Sequence, residues 1–228
     1  QSAGNREYLI SAAGTMTDRF HFLADSLNDT RRDLKTNIEL NVDKANNLIK
    51  DIAGLNKRFA QASSSASKSN GVQTYIDERE KNLEELSQLA DIKISDGKFG
   101  TVNVFLNGIN IITGPDYSQI KAQESISSVT GERTLQLLQT DTKGSEIASL
   151  SPQNGELAIQ LKHYNITLDD ADSSGGFSVF SKLNDYAGAV VQSVNDLTLG
   201  GFGLDDAGPN PPGRNFFEPA EGDATAFT

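Results

Sequence analysis

The chain has 228 residues, no cysteine, and 20 Lys and Arg against 31 Asp and Glu, a formal net charge of −11. That length holds one or two globular domains, and the charge argues against a nucleic-acid or anionic-membrane surface while leaving a basic partner open. Disulfides and thiolate metal sites are excluded, no apolar run approaches the roughly 18 to 20 residues of a membrane span, and no cleavable leader opens the sequence.

The first predicted element is a long amphipathic helix over about residues 5 to 62. Its apolar positions step by three and four through Leu9, Ala13, Met16, Phe20, Leu23 and Leu27, then Leu34, Ile38, Val42, Ala45, Ile49, Ile52 and Phe59. Unbroken, it would make a rod of roughly 85 Å, although the polar NDTRRD from Asn28 to Asp33 could divide it in two. ASSSASKSNG, residues 62 to 71, has the composition of a connection, and the helical period resumes with Ile76, Leu83, Leu86 and Leu89, as in a returning antiparallel helix.

The period then shortens to two. Val102, Val104 and Leu106 alternate with other residues ahead of Asn107-Gly108, a type I′ hairpin turn, and SQIKAQESISSV, RTLQLLQT and EIASLS extend a β meander to about residue 151. After Pro152 another helix can start, and Phe180, Leu183, Ala187, Val190, Val194 and Leu197 form a second helical seam. The remainder, rich in Gly, Pro and Asn, is predicted to be irregular with Phe216-Phe217 as its apolar anchor.

Chemistry is sparse. No nucleophile elbow, phosphate loop or HExxH is present, and the two histidines, His21 and His163, read as surface or packing imidazoles. Asp77, Glu78, Arg79 and Glu80 suit salt links on a helix better than acid–base catalysis. Asp170 to Ser181 has oxygen ligands at loop positions 1, 3 and 5 and Gly175 at position 6, as an EF-hand does, but Ser181 replaces the closing Glu, so a solvated acidic turn is favoured over calcium. No cofactor and no catalytic residue are assigned.

Asp77, Arg79 and Glu80 with Leu83, Leu86 and Ser87, and then Asp96-Gly97 with Val102, Val104 and Leu106, form an ordered series of motifs that resembles the family of flagellar hook-associated proteins of the first kind, found at the hook–filament junction. The first group resembles its Asp-x-Arg-Asp helix and the second its following strand. Asn47, Leu48, Ile52, Leu55 and Asn56 resemble an upstream helix. Gly155-Glu156-Leu157, then Leu183, Ala187 and Val194-Asn195, then Gly203-Leu204-Asp205 and Phe216-Phe217, follow the family's later order. An Arg-Asp expected after Gly-x-Leu is missing, residues around DDADSSGG look inserted, and Thr198 stands where the family often has His.

The resemblance implies an extracellular structural adaptor, exported by the flagellar type III pathway without a cleaved leader, that forms a homo-oligomeric ring touching the hook protein and a second junction protein next to the filament. It also implies that this is a central segment without the family's terminal axial-core segments. The expected fold is mainly α with a small β part: an elongated antiparallel helical rod, 1–92 and 153–228, plus a small antiparallel β domain, 93–152. Core or subunit packing is expected at Leu34, Ile38, Val42, Ile49, Ile52, Phe59, Asp77, Arg79, Leu83, Leu86, Leu183, Val194, Phe216 and Phe217. A fragment monomeric in solution is expected; the alternatives are an extracellular coiled-coil adhesin or binding module, and another axial protein such as flagellin.

Overall fold

The structure, a computed structural model, describes residues 3–64, 72–128, 133–168, 178–202 and 208–218. It is mainly helical with small antiparallel sheets, as expected. Helix α1 runs Ala3–Ser64 and α2 Val72–Leu89; strands β1 (Ile92–Asp96), β2 (Val102–Leu106), β3 (Ile109–Thr113) and β4 (Asp116–Tyr117) follow, then β5 (Gln119–Ile126), β6 (Arg133–Thr140) and β7 (Glu146–Leu150), α3 (Glu156–Lys162) with a π-helical turn His163–Thr167, and α4 (Val179–Leu199).

The NDTRRD stretch does not divide α1. Arg31 donates to Asn28 Oδ1 at 3.0 Å and Arg32 to Asp29 Oδ1 at 2.8 Å, so the polar run is spanned by i,i+3 pairs that a helix places side by side. Arg31 also stacks over the Phe180 ring, 4.9 Å from its centroid, and this contact ties α4 to the turn that looked weakest in sequence.

The expected single meander is two sheets, ordered β1-β2-β3-β4 and β5-β6-β7. The hairpin at Asn107-Gly108 has φ of +48° and +81°, the two positive angles a type I′ turn requires, and pairs Leu106 with Ile109. The division falls at Ser118, between β4 and β5. Its N–H donates to Ile111 O at 2.9 Å, and Gln139 Nε2 of β6 bridges the sheets by donating to Ser118 Oγ at 2.7 Å and Asn110 O at 2.8 Å.

The chain forms two compact units, Gln1–Arg32 with Ile166–Thr228, and Asp33–Asn165. These boundaries differ from the expected 92/93 and 152/153. In the second unit both sheets share one core with the helices: Ile38, Ile49 and Ile52 of α1, Leu86 of α2, Val104 and Leu106, Leu135 and Leu137, and Leu157 of α3 belong to a single buried cluster. A β domain with a separate core would need a second apolar face on its strands, which β1 and β7, mostly exposed, do not provide. In the first unit a smaller cluster joins Ala24 and Phe20 of α1 to Ala187 and Leu183 of α4.

Gly155 turns the chain into α3. It has φ +89°, and a Cβ there would lie 2.7 Å from Leu89 O and 2.8 Å from the Ala90 backbone at the end of α2. Neither neighbour can rotate aside. Gly155→Ala is therefore expected to cost about 2 to 4 kcal/mol, seen as a lower urea midpoint with an unchanged slope; an unchanged midpoint would contradict this close approach.

Candidate functional site

Within Asp33–Asn165 the positions that face the core of α1 run Ile38, Val42, Ala45, Ile49, Ile52 and Asn56, steps of four and three. The stripe therefore ends in an amide, and Asn56 is 0 % exposed. Its Nδ2 donates to Val102 O at 2.8 Å and Gly114 O at 2.7 Å; its Oδ1 accepts from Val102 N at 3.1 Å and Arg79 at 3.2 Å. One side chain thus satisfies both backbone groups of Val102, as a neighbouring strand would.

Arg79 completes this clasp from α2. It also donates to Gly100 O at 3.0 Å, and its guanidinium lies 5.4 Å from the centre of the Phe59 ring. Burial lowers the pKa of Arg79, while the charges of Glu80 and Asp96 act in the opposite direction. Gly100, at φ +74°, must lack a Cβ because that atom would fall 2.1 Å from the Phe59 ring. Asp77, by contrast, is exposed and accepts from Gln73 at 2.8 Å.

The same device recurs. Asn46 of α1 accepts from Ile120 N at 2.7 Å and donates to Ile120 O at 2.8 Å, while Asn165 accepts from Leu135 N at 2.7 Å and donates to Leu135 O at 2.8 Å. In the other unit Asn195 of α4 accepts from Phe216 N at 2.9 Å and Phe217 N at 2.8 Å and donates to Phe217 O at 2.9 Å, which seats the aromatic pair. Helix-borne amides thus fasten strands and loop to helices where no strand can pair. Asn56 and Asn195 stood in the resemblance motifs; Asn46 and Asn165 went unread, although Asn46 lies three residues before Ile49 on the inner side of the stripe.

An ionic contact adds to this packing. Glu124 of β5 accepts from Lys35 Nζ on α1 and from Tyr164 Oη, both at 2.5 Å. The Lys35 hydrogen bond, then that of Tyr164, hold the carboxyl pKa below its usual value, against a smaller effect of burial. Because the folded pKa is depressed, this stabilisation is present above the unfolded carboxylate pKa of about 4.3 and is lost as pH falls through the lower folded value. Acid titration of Glu124→Gln by circular dichroism should show a shallower loss of stability below about pH 4 than the parent chain. Parallel acid limbs would exclude the contribution.

Of the other expected packing positions, Ile38, Val42, Ile49, Ile52, Leu83 and Leu86 are buried, and Leu34, Phe59, Leu183, Val194, Phe216 and Phe217 are half-buried. Part of the early α1 seam behaves differently: Leu9 and Leu23 are exposed, as are Ile10 and Phe22, whereas Phe20 and Ala24 pack against Leu183 and Ala187 of α4. At the far end of the α4 seam Leu197 is 81 % exposed. The acidic turn from Asp170 lies outside the described residues except Ser178–Ser181, where Ser178 Oγ caps α4 by accepting from Ser181 N at 3.2 Å. Among the described residues no three His, Asp or Glu side chains group to hold a metal, and no helix is long and apolar enough to cross a membrane.

The described residues thus form a helix-rich scaffold with amide-clasped sheets, and Leu9, Ile10, Phe22, Leu23 and Leu197 stand exposed on its helices. The chain belongs to the family described as the flagellar hook-associated protein FlgK helical domain, which matches residues 1–217. It is 27% identical over 209 residues to flagellar hook-associated protein 1 of Escherichia coli K12, covering 89% of this chain and 36% of that protein. It shares its fold, at TM-score 0.70 and 21% identity, with the flagellar hook junction protein FlgK from Burkholderia pseudomallei, over 88% of this chain and 34% of that one. The chain thus spans about a third of the length of these relatives, which are structural proteins of the flagellum.

Proposed function

We propose that this chain is the helical domain of an adaptor that joins the flagellar hook to the filament and supports filament assembly. The observation that carries the reading is the family match over residues 1–217, which takes in every described element from α1 to the Phe216-Phe217 anchor. In this role the domain is extracellular, is exported by the flagellar type III pathway without a cleaved leader, and repeats as a ring whose neighbours are the hook protein and a second junction protein. The work is mechanical, and no reaction is assigned to it.

Immunogold labelling of flagella from cells that make the protein is expected to give a single band where hook meets filament. Label along the whole filament would instead support the flagellin reading, and label on the cell body would support the adhesin. The isolated chain is expected to sediment as a monomer of about 24.5 kDa, because contacts that build a ring are repeated many times and each can be weak. A tight dimer would favour a coiled-coil binding module.

A further inference from the structure

In the sheet β1-β2-β3-β4 the marginal strand is β1, which among the described strands pairs with β2 alone. Val102 of β2 turns both its N–H and its C=O to Asn56, away from β1. In an antiparallel ladder, residues directly opposite either exchange both bonds or turn both groups away, and the two kinds of pair alternate. Asp96, opposite Val102, therefore turns its N–H and C=O outward, and so does Ile94, opposite Val104. Elsewhere the fold covers or blunts such backbone. Asn46 takes both groups of Ile120, Asn165 takes those of Leu135, and a register shift between Gln139 and Thr140 makes a bulge against β7. Among the described residues nothing bonds the outward backbone of Ile94 and Asp96.

The side chains beside this edge state what fits it. Ile94 lies on the same face of the sheet as Val104, which is 1 % exposed, yet Ile94 itself is 51 % exposed, with no described strand beyond it. On the opposite face Lys93 is exposed and makes no ion pair among the described residues. The neighbouring carboxylates are turned to other work: Asp91 accepts from Gln153 N at 3.2 Å, and Asp96, on the face of Ile94, acts on the charge of Arg79. We propose that β1 receives an extended segment of a partner protein, added antiparallel along Ile94 to Asp96, with an apolar side chain beside Ile94 and an acid beside Lys93. The β1 of a second copy does not meet this description. In the antiparallel registers that set Ile94 opposite Ile94 or Asp96 of another copy, Lys93 meets Ser95 or Gly97 and no acid. The site goes beyond the adaptor role and does not depend on it.

The probe is the synthetic peptide acetyl-Thr-Thr-Thr-Val-Glu-Thr-amide, titrated into the full isotope-labelled chain and followed by amide NMR. Saturable shifts are expected from Lys93 to Asp96, with slowed amide exchange at Ile94 and Asp96. Ile94→Pro should abolish binding and keep the fold, because the N–H it removes faces outward and proline is tolerated on an edge strand; circular dichroism checks the fold. Lys93→Glu, at an exposed side chain, should weaken the peptide about fivefold, and a peptide with Lys in place of its Glu should recover that loss. Shifts absent from β1, or equal affinity for Ile94→Pro, would overturn the site. An affinity indifferent to both charge exchanges would overturn the acid in the occupant. A chain that sediments as a dimer, and that Ile94→Pro returns to a monomer, would make a second copy the occupant and overturn the partner strand.

Discussion

Ile52→Asp is expected to lower the stability of the chain by about 5 kcal/mol or more. Ile52 is 0 % exposed, at the centre of the cluster that joins α1 to α2 and to both sheets. The substitution removes a fully buried aliphatic side chain and puts in its place a carboxyl group that must either ionise without a partner or take up a proton. For a chain of this size the thermal midpoint should fall by roughly 10 to 20 °C, and the far-ultraviolet signal of α2 and the sheets should be lost together with that of α1. A substitution to Val, which keeps the branched shape, should cost only about 1 kcal/mol. An unchanged melting temperature for the Asp variant would reject the assignment of this stripe as the core.

Asn56→Ala is expected to be nearly as damaging, at about 3 to 5 kcal/mol, although it removes no apolar surface of consequence. It strands the N–H and C=O of Val102, the C=O of Gly114 and one donor of Arg79, and a buried unsatisfied group costs about 1 to 3 kcal/mol. Asn56→Asp discriminates between volume and hydrogen bonding. It keeps the shape and the acceptor for Arg79, but an ionised carboxylate has no proton to donate to the two carbonyls. Stability should then fall for Asp as for Ala, and a double cycle with Arg79→Ala should show coupling of 0.5 kcal/mol or more. If Asn56→Leu melted at the parental temperature, the amide would be a filler and the strand would be held by apolar packing.

The second half of the α1 seam was readable because its steps of three and four end on real partners. Ile38, Val42, Ile49 and Ile52 all reach the shared core. The first half carries the same period, yet Leu9 and Leu23 are exposed. Periodicity records that a face is apolar; it does not record what covers it. The β alternation of Val102, Val104 and Leu106 and the Asn107-Gly108 turn were equally plain, since backbone angles at a two-residue turn restrict the residues that fit. The division into two sheets at Ser118 carried no Gly or Pro, and rests on Gln139 reaching across from β6, a contact separated by 21 residues.

The asparagine clasps were the least legible part. A polar residue in a helical stripe reads as the edge of the solvated face, and only the position of the strand shows that Asn56 or Asn46 faces unpaired backbone. The family resemblance supplied Asn56 and Asn195 without supplying their work. Asp77 is the converse case, a motif residue that the structure leaves at the surface with Gln73 as its partner.

The central claim, that this chain serves as the hook–filament adaptor, is tested most directly by adding the full-length protein containing it to isolated hooks stripped of their junction proteins, then supplying the second junction protein and flagellin. The account predicts that the protein binds the hook end and that filaments grow from it. A folded protein that leaves the hooks bare would contradict the account.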